Sequence, residues 1–197
     1  DAADEPIDAA EHARGLALER SRRLGQLDAM RNAGTNPYPY RFDRTHTLAD
    51  IRSEFGALEA GTETEVHVEV AGRMLLKRDQ GKLIFASLRD RDGDIQLFVS
   101  KAIVGDELFD AINALDLGDW VGVSGLVMTT RKGELSIKVN TLVLLAKAVR
   151  PLPDKWHGLT DPDTRYRQRY ADLISNDEAR RAFAIRHAII ASFRKTL

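Results

Sequence analysis

The stretch spanning residues 85–99, FASLRDRDGDIQLFV, carries the side chains with the clearest chemical potential. Two short alternating runs, 83–88 and 95–99, flank a charged turn of Asp92, Gly93 and Asp94. Such a turn signals a hairpin: Gly93 can take positive φ, and Asp92 or Asp94 can hydrogen-bond back into the backbone. Successive side chains of a strand point to opposite faces. Ile84, Ala86 and Leu88 therefore separate from Phe85, Ser87 and Arg89, and Ile95, Leu97 and Val99 from Gln96 and Phe98. With the aliphatic faces buried, the opposite face displays an aromatic ring, an amide and a guanidinium together. A surface of that kind can stack a flat base and bind its edge.

Other chemistries find less support. The five histidines are scattered without ligand spacing, so no metal site is expected. Asp90, Asp92 and Asp94 alternate as acidic ligands do in calcium loops, but the loop length and closing glutamate of such sites do not follow. The turn reading is preferred. There is no nucleophile–base pairing and no Gly-rich phosphate loop, and no catalytic residue is expected.

The elements that must hold this surface come next. The chain has 197 residues, 43% hydrophobic and 30% charged, which reads as globular. Its formal net charge of −1 gives no global pull on a polyanion, so any nucleic acid must meet a local patch. The absence of cysteine excludes disulfides and thiolate metal sites and fits a reducing cytoplasm. No apolar run approaches the roughly 18 residues of a membrane span, and no membrane partner is expected. Residues 1–15 are read as a disordered acidic tail resembling neither a signal nor a transit peptide.

Residues 16–64 form a helical extension. A helix over 11–32 places Leu16, Leu24, Leu27 and Met30 at helical spacing among several arginines. The prolines of GTNPYPYRF force an extended segment. Thr47 is the candidate N-cap of a short helix ending at Gly56. Between 65 and 147 the reading is strand, strand, strand, helix, strand, strand. The first strand starts around Val66 and runs to about Leu76, followed by a charged loop at 77–82. A helix over 103–115 and a hairpin loop TTRKGE come later. Three strands, one helix and two more strands is the element order of an OB-fold, a five-stranded closed barrel. Residues 148–160 read as a linker. Residues 161–197 read as helix in two pieces, broken at Ser175-Asn176-Asp177. Phe183, Ile185, Ile189, Ile190, Phe193 and Leu197 give the second piece an apolar face. An apolar face with nothing to cover it predicts a missing domain or a partner, and the sequence reads as a fragment.

Four motifs together, GTNPYPYRF, AGRMLLKRDQGKLIFASLRDRDGDIQLFV, LGDWVGVSGLVMTTRKGELSI and RPLPDKWHGLTDPDTRYRQRYADLISN, resemble class II bacterial lysyl-tRNA synthetase over about residues 20–197. Aspartyl and asparaginyl enzymes share the barrel pattern, but the flanking NPYP and LPDKWHGL segments look like the lysyl enzyme. The resemblance implies an all-β OB-fold that binds the anticodon of tRNA(Lys), followed over 161–197 by the truncated start of an α+β catalytic domain. Carried over by motif position, Phe85 stacks on the central anticodon base, Gln96 and Arg78 bind that base's edge, and Glu134 contacts the first base. Arg73 is a weaker candidate, sharing strand parity with His67 and Glu69.

The last helix resembles the start of the family's first motif, which forms the homodimer interface. The motifs that bind ATP, Mg2+ and lysine have no counterpart in these residues. The resemblance thus implies that the full-length parent is an ATP-dependent lysine–tRNA ligase, whereas the fragment holds no cofactor and is inactive alone. Two other readings stay open: a general single-strand-binding OB protein, and a dimerisation module. A general binder ordinarily has a basic groove and several stacking aromatics. Here only Phe85 and Phe98 project on the expected face.

Overall fold

The computed structural model describes residues 9–153 and 159–197, residues 9–13 by backbone alone. The chain divides into two compact units, Asp1–Pro151 and Leu152–Leu197. In the first, helices α1 (Ala9–Asn32) and α2 (Leu48–Phe55) precede strands β1 (Glu63–Asp79), β2 (Leu83–Arg89) and β3 (Asp94–Ser100). Helix α3 (Lys101–Asn113) then leads to β4 (Trp120–Thr129) and β5 (Leu135–Ala146). Helix α1 begins at Ala9, inside the stretch expected to be a tail up to residue 15; residues 1–8 lie outside the described residues.

The strands hydrogen-bond in the order β1-β2-β3-β5-β4 and close into a barrel. All pairings are antiparallel except the short parallel one of β3 with β5. Closure leaves no sheet edge to attract another chain. Along β2 and β3 burial alternates residue by residue, with Ile84, Ala86, Leu88, Ile95, Leu97 and Val99 inside. Val68, Val70, Met74, Val123 and Ile137 meet them, and Leu48 and Ile51 of α2 and Phe109 and Ile112 of α3 complete the same core. Each of the larger of these side chains stabilises the fold by about 1.5–3 kcal/mol relative to exposure.

Several local expectations need correction. The hairpin turn is organised by Asp90, not by Asp92, Gly93 or Asp94. The Asp90 Oδ1 accepts from the backbone N–H of Asp92 (2.7 Å) and Gly93 (2.9 Å), and its own N–H donates to the Gly93 carbonyl. Gly93 is not among the glycines with positive φ; a side-chain acceptor does the work a left-handed residue does in tighter turns. The charged loop at 77–82 is shorter than expected, because β1 continues to Asp79 and the chain reverses through Gly81 at φ 78°. Helix α3 starts at Lys101 and is interrupted at Gly105, φ 81°.

Helix α2 is fixed to the barrel at its N-terminus. Thr47 and Asp50 form a reciprocal capping box, and the Leu48 N–H donates to Asp90 Oδ2 at 2.9 Å. The hairpin turn and the helix are thereby held by one carboxylate. The extended segment packs Phe42 flat against Gly122, where a Cβ would lie 2.5 Å from the ring. Helix α1 packs through Leu27 and the buried Arg23, whose Nη1 donates to the carbonyls of Leu117 (3.0 Å) and Ala148 (3.2 Å). Leu16, expected on the packing stripe, is exposed.

Among the described residues of the second unit the helices number three, not two: α4 (Pro162–Arg167), α5 (Arg169–Ser175) and α6 (Asp177–Thr196), with the additional break at Gln168, φ −111° and ψ 49°. Asp172, fully buried, accepts from Arg165 Nε (2.9 Å) and Arg169 Nη1 (2.6 Å). The Arg169 guanidinium also lies over the rings of Tyr166 and Phe183. These arginines are thus taken up inside the unit. Asn176 caps α6, and the apolar face of that helix is exposed within the unit. Residues 154–158 of the expected linker lie outside the described residues.

Candidate nucleic-acid interface

The outer wall of β1, β2 and β3 forms the site. Arg78 pairs with Phe85, and Phe85 with Phe98. One step along, Leu76 pairs with Ser87, Ser87 with Gln96, and Gln96 with Ser136 of β5. Directly opposed residues of adjacent strands share a face, so two transverse rows stand side by side. Arg78 reaches this face because of an irregularity. The β1–β2 register shifts between Met74 and Leu76. Before the shift the even-numbered residues Val68, Val70 and Met74 point inward; after it Leu76 and Arg78 oppose the outward Ser87 and Phe85. A bulge re-aims the side chains beyond it.

A shallow concavity opens on this wall, lined by Arg52, Leu76, Arg78, Phe85, Ser87, Gln96 and Glu134 among others. Phe85 and Phe98 meet edge to face, with centroids 5.5 Å apart and planes at 68°, which fixes the Phe85 ring plane. Arg78 is exposed at one side of the concavity. Glu134 is exposed on the β4–β5 hairpin, which turns through Gly133 at φ 82°. Gln96 donates from Nε2 to Ser136 Oγ at 2.9 Å. The Ser136 hydroxyl in turn donates to the Glu134 carbonyl at 3.0 Å.

Of the residues singled out in the sequence, Arg78, Phe85, Gln96 and Glu134 are brought together. Arg73 is not. It is half-buried beside β4, with Nη1 donating to the Gly118 carbonyl at 2.9 Å and its guanidinium 5.3 Å from the Trp120 ring centre. Burial lowers its pKa, and the charge of Asp119 partly offsets that. Arg73 is held on Gly118 and Trp120 and does not line the concavity. Arg52 was missed. It comes from α2 and donates to the Asp94 carbonyl, placing a second guanidinium at the concavity. No motif links Arg52 to the hairpin; only the docking of α2 does.

The concavity thus offers a ring, an amide, two guanidiniums and two carboxylates, of which Asp94 is paired with Arg89 and Glu134 is exposed. These suit a planar, polar-edged ligand beside a phosphate backbone. Among the described residues, no group of three or more His, Asp or Glu is placed to hold a metal ion, and no helix is long and apolar enough to cross a membrane.

Residues 68–145 match the tRNA anti-codon family, described as an OB-fold nucleic acid binding domain. Along nearly its whole length the chain is also similar to lysine–tRNA ligases. It is 48% identical over 177 residues to that of Enterococcus faecalis, a match covering 89% of this chain and 36% of the relative. With the Clostridium perfringens enzyme it shares 43% over 195 residues, 98% of this chain and 38% of the relative. The Nostoc punctiforme enzyme gives 44% over 186 residues, 90% and 33% respectively. The chain therefore spans about a third of the length of these curated relatives. The OB-fold domain of 68–145 contains Arg78, Phe85, Gln96 and Glu134 within its matched residues.

Proposed function

We propose that the barrel reads an unpaired anticodon, rich in uracil, as the anticodon-binding part of a lysine–tRNA ligase acting on tRNA(Lys). The observation that carries this reading is the gathering of Phe85, Gln96, Arg78 and Glu134 around one concavity of an OB-fold nucleic acid binding domain. Phe85 stacks the central base. Arg78 donates to a carbonyl oxygen of that base, and Gln96 binds its Watson–Crick edge. Glu134, on the neighbouring hairpin, meets the first base. Arg73 takes no part.

In the whole protein, lysine is activated with ATP and Mg2+ and passed to the tRNA. The helices of 161–197 begin the domain that does this, and the apolar face of α6 contributes to a homodimer interface. The residues up to 197 bind the anticodon without aminoacylating, in the cytoplasm. The similarity to lysine–tRNA ligases supports these assignments.

Phe85→Ala tests the reading. Loss of one base stack weakens binding of an anticodon stem-loop carrying UUU by about 1–3 kcal/mol. Unchanged affinity, with the variant still folded, contradicts it.

A further inference from the structure

Ser136 is fully buried and bonded on both sides. Its Oγ donates its single proton to the Glu134 carbonyl, so toward Gln96 it can only accept. The partner it accepts from must be the NH2 group, at 2.9 Å. A free glutamine amide on a protein surface can present either end to a ligand. Here the hydroxyl holds the nitrogen end against β5. The carbonyl oxygen Oε1 has no protein partner among the described residues, on a side chain that lines the concavity.

We infer that Ser136 is a positioning residue for base selection: it fixes the Gln96 amide so that the concavity meets a base with an acceptor and takes a uridine in preference to a cytidine. This deepens the proposed anticodon reading and rests on it. Uracil carries a donor at N3 and acceptors at O2 and O4. Its N3–H donates to Oε1 while a uracil carbonyl oxygen accepts a hydrogen bond from Arg78. A cytosine in the same pose turns the N3 lone pair toward Oε1, and two acceptors face each other. If the amide could rotate, its NH2 would serve cytosine N3 equally well, and the pairing would discriminate little. The Glu134 carbonyl therefore sets the polarity of the site through two hydrogen bonds. The parallel pairing of Gln96 with Ser136 is what brings the two side chains into register.

The test uses the 197-residue chain and two anticodon stem-loops, UUU and UCU, at one fixed salt concentration. The readout is the ratio of their dissociation constants. Ser136→Ala is expected to narrow that ratio roughly three- to tenfold, chiefly by improving UCU binding relative to UUU. In a Gln96→Ala background the same change is expected to leave the ratio where Gln96→Ala alone put it. A ratio unchanged by Ser136→Ala, or an equal weakening of both loops, overturns the positioning role while leaving the anticodon reading intact. A change in ratio that persists without Gln96 also overturns it, because Ser136 then acts on its own. A wild-type ratio near one overturns the anticodon reading and this inference together. A second readout needs no variant: the Gln96 side-chain NH2 protons of the RNA-free chain exchange more slowly than those of exposed Gln80. Equal exchange rates overturn the fixed orientation.

Discussion

Arg78 stands directly across the β1–β2 ladder from Phe85, on the outer wall of the barrel. It does so only because the register slips between Met74 and Leu76. Unbroken alternation from Val68, Val70 and Met74 puts residue 78 inside. The single extra residue in β1 makes the cation available where the ring is. Arg78→Ala is therefore expected to weaken UUU stem-loop binding by about 1–3 kcal/mol and to leave the melting temperature of the chain nearly unchanged. Arg73→Ala is expected to do the reverse, because Arg73 is spent on the Gly118 carbonyl and the Trp120 ring. Binding titrations and thermal melts on the two variants check both halves.

A buried charge cluster joins the turn before β4 to the end of β5. Asp119 is fully buried and accepts from Lys147 Nζ at 2.9 Å, from the Ala148 N–H at 2.8 Å and from the Asp116 N–H at 2.9 Å. Lys147 is itself buried. Removing one partner leaves a buried charge uncompensated, at a cost of about 3–5 kcal/mol. Asp119→Ala is expected to lower stability in urea unfolding by that order. Lys147→Met with Asp119→Leu should recover much of the loss, since replacing a buried pair by apolar groups is often near neutral.

Two carboxylates near Lys147 and Arg22 contribute to stability at acid pH. Hydrogen bonds from Arg22 and Arg23 hold Glu19 at about 2 against an ordinary 4.5. Burial pushes Asp116 up, but hydrogen bonds from Lys147 and Arg22 outweigh it and hold the carboxyl below the usual aspartate value. Both folded-state values are depressed. Their contribution to stability is fully present above the unfolded values and is lost as pH falls through the folded ones. For Glu19 that window runs from 4.5 down to about 2. Glu19→Gln is expected to flatten the stability–pH curve in this window and to leave its slope above pH 6 unchanged. An identical slope in both proteins below pH 4.5 contradicts the assignment.

Much of the site was legible in the sequence, for a physical reason. The alternation of β2 and β3 is strict, so Phe85 and Gln96 could be placed on one face from their numbers alone. The core strands and the lone helix between the third and fourth were likewise plain from pattern. What pattern could not supply was anything depending on a local break or a distant docking. The bulge before Leu76 hid the parity of Arg78. The parallel pairing that brings Ser136 to Gln96 joins residues far apart in the chain, as does the approach of Arg52 from α2 to the Asp94 carbonyl. Arg73 lies away from the concavity for a related reason: parity gave its face, but not its contacts with the Gly118 carbonyl and the Trp120 ring. Gly93 invited a left-handed turn that Asp90 made unnecessary.

The apolar face of α6 exposes Ile185, Ile189 and Phe193, and its proposed role in a homodimer interface can be tested on this chain. Sedimentation of the chain across a concentration series is expected to show dimer, and Phe193→Asp to return it to monomer without changing UUU binding. A wild-type chain that stays monomeric at every concentration contradicts that assignment.

The central claim is that the barrel discriminates the middle anticodon base. Its most direct measure is the affinity of the wild-type chain for a UUU stem-loop against the same loop with the middle base changed to C, A or G, at fixed salt. The expected result is a loss of at least about 1 kcal/mol for every change. Equal affinity for all four loops would contradict the account and leave a binder of single strands without preference.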